Sequence, residues 1–238
     1  MNSFGNYVAS FLLPALRTIL FIAAGFTLIL LPSFHGMTLS EVSKWWVLLC
    51  IGVNLITIAL IFILLKKEGR TFHWLINYNP DAKWNNKTNF LIPMSMLLLG
   101  IGGMVGASLL IYGHVPLTNL QPLPLWAAII VLLFFPITTA LAEIPFYLGY
   151  CSPKLKSKTK SKMLSIAYPL FFFALQHSFM PLLPDPKYML LRFLQFSPLL
   201  VMMGIWYKQR GDLFPLIIGH GILDTVFAIQ LLIVSLSS

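Results

Sequence analysis

Long apolar runs dominate this chain and constrain its fold more than any other feature. Seven stretches are about 20 residues long and almost free of charge, which is the length of helix that crosses ~30 Å of hydrocarbon. They cover residues 11–32, 45–65, 90–112, 125–150, 163–183, 189–207 and 213–236. With 58% hydrophobic and 10% charged residues, the chain has too little polar surface for a water-soluble domain. We therefore predict an all-α fold, in which 1–238 forms one integral membrane domain, a polytopic helical bundle of about seven transmembrane helices.

The basic residues indicate how the bundle is oriented. Lysines and arginines concentrate in the loops at 66–89, 154–162 and 208–210, whereas the alternate loops hold few. The positive-inside rule then predicts a cytoplasmic N-terminus and an external C-terminus, in a multi-pass protein of the cell membrane. Because the net charge of +9 resides in these loops, nucleic acid is not an expected partner. We expect the lysine-rich loop at 154–162 to be solvated and to face anionic lipid.

The three N-terminal runs, within 1–112, contain no motif with recognisable chemistry. Their most unusual feature is a group of four glycines in the third run, in which Gly102 and Gly106 are spaced as a small-xxx-small pair. We interpret these glycines as sites of close helix packing, with a ligand contact as the alternative.

Four polar residues stand out in the last half of the chain. Glu143 and Asp224 are the only carboxylates inside apolar runs, where an ionised acid costs roughly 3 kcal/mol. His177 and His220 lie in neighbouring runs, and His220 shares a helix face with Asp224 because the two are four residues apart. Counting ~1.5 Å per residue from the cytoplasmic helix ends places Glu143 and His220 roughly 10 Å deep, Asp224 about 16 Å and His177 about 20 Å. A single site requires all four to converge in the cytoplasmic half.

The order and spacing of these residues resemble the CPBP family of intramembrane peptidases. This family includes the CAAX prenyl endopeptidases and bacteriocin-processing or bacteriocin-immunity proteins. Its core carries EExxxR, then FxxxH, then HxxxN or HxxxD, on successive helices. Here Phe173 and His177 match the second motif, and His220 and Asp224 match the third. The resemblance covers 125–236, which we interpret as a CPBP-like catalytic core.

The first motif of the family is incomplete in this chain. If Glu143 stands for the first glutamate, Ile144 replaces the second glutamate and Leu148 the arginine. If it stands for the second glutamate, Ala142 occupies the first position and Tyr147 that of the arginine. We prefer the first alignment, because it retains the more important acid.

With the arginine absent, another cation has to pair with the acid or the acid is less constrained. The nearest candidates are Lys208 and Arg210, which flank the last helix in sequence.

The resemblance implies an endopeptidase that hydrolyses a peptide bond within the membrane. Glu143 would activate a water, His177 would hold the same water, and His220 would face the scissile carbonyl. Asp224 would fix the imidazole or contribute a hydrogen bond to the oxyanion site. The implied partners are membrane lipid and a peptide or lipidated-protein substrate.

A metallopeptidase mechanism competes with direct water activation. Glu143, His177 and His220 form a His₂Glu set of the kind that holds catalytic zinc. Asp224 would then form a hydrogen bond with one of the zinc ligands. The sequence is therefore compatible with a zinc cofactor and with no cofactor.

Two further functions remain open at this stage. The incomplete first motif also fits a catalytically silent immunity or scaffolding protein that binds a peptide or a partner helix. A small proton-coupled carrier is a third hypothesis for the function, beside the peptidase and the silent protein, although the sequence shows no inverted repeat. Taken singly, a buried histidine in a membrane helix is more often a packing residue with a hydrogen bond to a carbonyl.

Overall fold

The computed structural model describes residues 3–77, 86–116 and 120–238, with the backbone alone at 3–7 and 86–89. Within these ranges the chain forms helices and connecting loops and no strand. The α-helices are α1 Ser3–Leu12, α2 Leu16–Leu30, α3 Leu39–Val42, α4 Trp46–Lys67, α5 Phe72–Leu75, α6 Asn86–Tyr112, α7 Leu125–Ile144, α8 Ser152–Thr159, α9 Lys162–His177, α10 Pro186–Arg210 and α11 Phe214–Leu236. The predicted all-α bundle is confirmed, whereas the orientation of its termini stays a prediction.

In the described part of the chain, six helical segments are long and apolar enough to cross a membrane. They are Val8–Leu30, Leu39–Lys67, Phe90–Tyr112, Leu125–Thr159, Pro186–Arg210 and Phe214–Leu236. Each corresponds to one predicted run. These spans make the chain a multi-pass integral membrane protein.

The predicted run at 163–183 forms a shorter helix than expected. α9 begins after Ser161, whose side chain accepts a hydrogen bond from the Leu164 N–H, and it ends at His177. Its 16 residues give about 24 Å of helix, which is less than the thickness of the hydrocarbon. His177 is therefore the last residue of its helix.

The fourth predicted helix continues beyond residue 150, where it was predicted to end. After α7 the chain continues through a π-helical segment, Pro145–Cys151, and then through α8 to Thr159. Pro145 has no N–H to donate to the preceding turn, which favours a local widening of the helix. Glu143 consequently lies roughly 24 Å from the end of this helix and not about 10 Å as the predicted helix end implied, whereas its depth in the membrane stays a prediction.

α7 occupies the centre of the bundle. It packs against α11 and α4, while α10 packs between α6 and α9, and α2 packs against α4. Residues of the π-helical segment are all buried, including Leu148, which lies in the hydrophobic core. α7 therefore carries its one carboxylate into the interior of the protein.

Of the four glycines predicted to allow close packing of α6, Gly100 and Gly103 face neighbouring helices, whereas Gly102 and Gly106 do not. A Cβ at Gly103 would clash with the carbonyl oxygen of Gln195, so this glycine lets α6 approach the α10 backbone. Gly102 and Gly106 have open space where a Cβ would stand. The small-xxx-small pair is thus not a packing site within this chain, because it faces away from the neighbouring helices.

Candidate functional site

A buried polar cluster lies where five helices meet around Glu143, the next-to-last residue of α7. The Glu143 side chain is 1% exposed and accepts hydrogen bonds on both oxygens. Its Oε1 accepts from Arg17 Nη2 at 2.9 Å and from Gln176 Nε2 at 2.8 Å. Its Oε2 lies 3.1 Å from His220 Nε2. α2, α9 and α11 therefore each contribute one donor to this carboxylate.

Arg17 is the cation of the cluster and has no exposed surface. Besides its ion pair with the carboxylate, its Nε donates to Gln176 Oε1, its Nη1 to Thr57 Oγ1 and its Nη2 to Asn54 Oδ1, each at 2.8 Å. Asn54 in turn donates from Nδ2 to Thr139 Oγ1 at 2.9 Å. Because the guanidinium is fully desolvated, these acceptors are the partners that make its burial tolerable.

Gln176 joins the cation to the acid, since its oxygen accepts from Arg17 and its nitrogen donates to Glu143. The hydroxyl of Tyr147 also donates to Gln176 Oε1, at 3.0 Å. Tyr147 lies one helical turn after Glu143, so both side chains face the same part of the site. In the alternative alignment, the residue at the arginine position is thus part of the polar cluster, whereas Leu148 lies in the apolar core.

His220 is placed between the two carboxylates of the site. Its Nε2 lies 3.1 Å from Glu143 Oε2 and 3.4 Å from Asp224 Oδ2. Its Nδ1 is buried and has no hydrogen-bond partner among the described residues, and the same holds for Asp224 Oδ2. Buried polar atoms without a protein partner are positions at which ordered water is expected. At 14% exposure, the Asp224 side chain is more accessible than either His220 or Glu143.

His177 lies beside the cluster, one aromatic ring away from His220. Its Nδ1 is 2.7 Å from the carbonyl oxygen of Phe173 and therefore carries the proton in the neutral ring, which leaves Nε2 as an acceptor. The Phe173 ring is 5.7 Å from the His177 ring and 6.0 Å from the His220 ring, centroid to centroid. The imidazole of His177 also stacks on Phe196 at 3.8 Å.

The structure thus brings together the residues predicted from sequence. Glu143, His220 and Asp224 form one line of contacts, and His177 packs against it through Phe173. The four residues therefore lie in one region of the bundle, whereas its location in the cytoplasmic half stays a prediction. Their catalytic roles stay a prediction.

Five members of the cluster were missed by sequence reasoning, namely Arg17, Asn54, Thr57, Thr139 and Gln176. The first three belong to the N-terminal helices, in which no motif was found. Arg17 carried a usable signal, because an arginine within an apolar run is rare and marks a function or a partner. Lys208 and Arg210, the cations suggested by sequence, are exposed at the end of α10, and the cation that pairs with Glu143 is Arg17.

The zinc alternative is not supported by the geometry. Among the residues that the structure describes, no three His, Cys, Asp or Glu side chains are arranged to hold a metal ion. Glu143 Oε1 already accepts from a guanidinium and an amide, so the charge of this carboxylate is already balanced by Arg17. The donor set of Glu143, His177 and His220 therefore does not fit a catalytic zinc site.

The fold and the site define a class: a multi-pass helical membrane protein with a charged cluster buried within the bundle. Residues 124–226 match the family model described as type II CAAX prenyl endopeptidase Rce1-like. This match spans less than half of the chain and supports the resemblance to the CPBP family that the motifs indicate; the matched family is a family of peptidases. Comparison with curated proteins and with solved structures finds no match.

The matched segment contains Glu143, Gln176, His177, His220 and Asp224. It begins after α6, so Arg17, Asn54 and Thr57 lie outside it. The polar cluster is therefore assembled from the family segment and from helices that precede it.

Proposed function

We propose that the protein is an intramembrane endopeptidase that hydrolyses a peptide bond with a water activated by Glu143. The observation that carries the proposal is the 3.1 Å contact between Glu143 Oε2 and His220 Nε2, within the segment that matches the Rce1-like family. General acid and base catalysis requires groups within hydrogen-bond reach of a shared water or substrate atom.

The hydrogen bonds of Glu143 suggest where this water binds. A carboxylate offers about four lone-pair sites. Arg17 and Gln176 both donate to Oε1, and His220 donates to Oε2, which leaves one position on Oε2. A water at that position is held beside His220 and can pass a proton to the carboxylate while it attacks a carbonyl.

His220 and His177 take different parts in this mechanism. His220 Nε2 donates to Glu143, and its Nδ1, which has no partner among the described residues, supplies a second donor in the protonated ring where negative charge develops on the substrate oxygen. His177 Nε2 is an acceptor, because Nδ1 donates to the Phe173 carbonyl, and it suits the orientation of the same water.

Arg17 acts in this mechanism as a positioning residue. By holding Oε1, it turns Oε2 of Glu143 towards His220. It supplies from α2 the cation that the family motif carries on the same helix as its glutamates, where this chain has Leu148. The site can therefore be complete although the arginine of the family motif is absent, because Arg17 takes its place.

The name of the matched family suggests the first substrates to test, which are prenylated peptides with a C-terminal CAAX sequence. The full chain in liposomes is offered a farnesylated CAAX peptide, the same peptide without the prenyl group and a pool of apolar peptides, and cleavage is followed by mass spectrometry. Glu143→Gln, His177→Ala and His220→Ala are compared with His114→Ala, which changes an exposed histidine outside the cluster.

Cleavage by the parent and by His114→Ala, with a loss of at least 100-fold in each site variant, supports the enzyme. Thermal unfolding of each variant separates lost chemistry from lost structure. If all variants cleave as fast as the parent, the proposed site is wrong.

A catalytically silent binding protein is the second candidate. It is favoured by the burial of Glu143, whose side chain is 1% exposed and already paired with Arg17. Peptide binding without cleavage by the parent, unchanged in Glu143→Gln, is the result expected for this function.

A further inference from the structure

A groove of about 360 Å³ runs between α9 and α10 on a face of the bundle. Its walls are almost entirely apolar and include Leu170 and Ala174 from α9 and Leu200, Val201 and Gly204 from α10. None of these residues belongs to the polar cluster around Glu143. Such a surface suits a hydrocarbon chain, and its volume lies within the range of ligand sites.

A second pocket, of the opposite character, adjoins this groove. This pocket encloses about 310 Å³ and is lined by four cations, Lys156, Lys162, Lys208 and Arg210, and by no acidic residue. Lys208 and Ile166 line both cavities, so the apolar groove and the basic pocket are adjacent.

The four cations come from three separate parts of the chain. Lys156 lies on α8, Lys162 is the first residue of α9, and Lys208 and Arg210 are in the last turn of α10. Lys162 Nζ donates to the Lys208 carbonyl oxygen at 2.6 Å and ties the two helix ends together. The pocket is thus formed by the fold and is not a run of neighbouring lysines.

The positive charge of the pocket is only weakly compensated by the protein. Lys208 Nζ lies 3.5 Å from the sulfur of Met163, a poor acceptor. Asp212 is the acid nearest to Arg210 in sequence, and its Oδ1 accepts from the Phe214 N–H. Burial raises the pKa of Asp212 above its ordinary value, against the opposing effects of that hydrogen bond and of the Arg210 charge.

We propose that the groove and the pocket together bind one anionic phospholipid, with an acyl chain between α9 and α10 and the headgroup phosphate among Lys156, Lys162, Lys208 and Arg210. Charge complementarity selects this occupant, because basic pockets between membrane helices bind anionic headgroups. A zwitterionic lipid offers the same chains and carries an additional cation into a pocket that already holds four. The site does not depend on the peptidase proposal, since it shares no residue with the polar cluster.

The test compares two lipids with identical chains, phosphatidylglycerol and phosphatidylcholine, each labelled on one acyl chain, for binding to the purified full chain in detergent. The head-pocket variant is Lys156→Gln with Lys208→Gln, which retains the hydrogen bond from Lys162 to the Lys208 backbone. Its charge-matched control is Lys66→Gln with Lys67→Gln, which removes two exposed lysines at the end of α4. Ala167→Phe places a ring in the groove from an exposed position.

We expect phosphatidylglycerol to bind at least 10-fold more tightly than phosphatidylcholine. The head-pocket variant should weaken phosphatidylglycerol binding roughly 10- to 30-fold, because each cation near a headgroup contributes about one factor of five. The Lys66 and Lys67 control should stay within about twofold of the parent, and Ala167→Phe should weaken both lipids. Thermal unfolding in detergent establishes that each variant is folded.

Three results overturn the proposal. Equal losses in the head-pocket variant and its control mean a diffuse surface attraction. Displacement of the labelled lipid by inorganic phosphate alone means a site for a free anion. Equal binding of the two lipids means that the cations do not select the headgroup.

Discussion

Two glutamates of this protein are each paired with an arginine, yet their environments are opposite. Glu143 and Arg17 are 1% and 0% exposed, whereas Glu68 and Arg70, 3.2 Å apart, are 22% and 40% exposed. Glu68 also accepts from Lys154 and from the hydroxyl of Tyr150. Both clusters pair a carboxylate with a guanidinium, and the two pairs differ in their access to water.

This difference decides what each ion pair contributes. Water stabilises the separated charges of the Glu68 cluster, so removing one partner lowers the free energy of unfolding only slightly. Arg17 and Glu143 are 0% and 1% exposed to bulk solvent, so removing one partner leaves the other as an uncompensated buried charge. A buried pair is therefore expected to hold helices in a fixed arrangement, while the exposed pair adds only a small increment to stability.

The largest effect is expected from Arg17→Leu. It leaves the Glu143 carboxylate buried with no cation beside it, and the free energy of unfolding should fall by about 3–5 kcal/mol. Equilibrium unfolding in mixed detergent micelles measures the change. Arg17→Leu combined with Glu143→Leu should recover much of the loss, because neither charge is then left alone. A loss below about 1 kcal/mol in the single variant would show that the pair is solvated like Glu68.

A neighbour of the cation provides the next test. Thr57 accepts from Arg17 Nη1 and donates to the Val53 carbonyl, and Thr27 makes the same bond to the carbonyl of Ala23 without touching a charge. Thr57→Val should cost about 1–3 kcal/mol in unfolding free energy, since a buried charged donor loses its acceptor. Thr27→Val is the matched control and should cost less than about 0.5 kcal/mol. Equal effects in the two variants would contradict the buried network.

The exposed pair should respond much less. Glu68→Gln removes the ion pairs to Arg70 and Lys154, and the expected loss in unfolding free energy is below about 1 kcal/mol at neutral pH. The same detergent unfolding assay gives the value. A loss as large as that of Arg17→Leu would remove the contrast between the two clusters.

The smallest effect concerns pH. Burial acts to raise the pKa of Glu68, but the hydrogen bonds from Lys154 and Tyr150 and the charges of Lys154 and Arg70 lower it below its ordinary value. A carboxyl whose pKa is lower in the folded state stabilises the fold above its unfolded pKa and loses that contribution as the pH falls through the folded value. The stability difference between the parent and Glu68→Gln should therefore be present at pH 7 and shrink below about pH 4.5. A difference that grows on acidification would show the opposite shift.

Local spacing accounts for what was predictable about the site. His220 and Asp224 are four residues apart on one helix, and their 3.4 Å contact follows directly from helix geometry. The apolar runs predicted the helices for the same reason, since hydrocarbon admits helices whose backbone hydrogen bonds are internal. The end of the fourth helix was misjudged because Ser152–Thr159 is polar, and a helix that leaves the membrane needs no apolar residues.

The sequence by itself determined that this chain is a membrane-embedded helical bundle, that it resembles the CPBP family, and that Glu143, His177, His220 and Asp224 are its candidate site residues. Only the tertiary structure decided which cation meets Glu143. Arg17 lies 126 residues away in sequence, and the contact depends on how α2 and α7 are rotated and packed. Within one helix, spacing fixes which side chains are neighbours, whereas between helices the packing of whole surfaces decides which side chains meet.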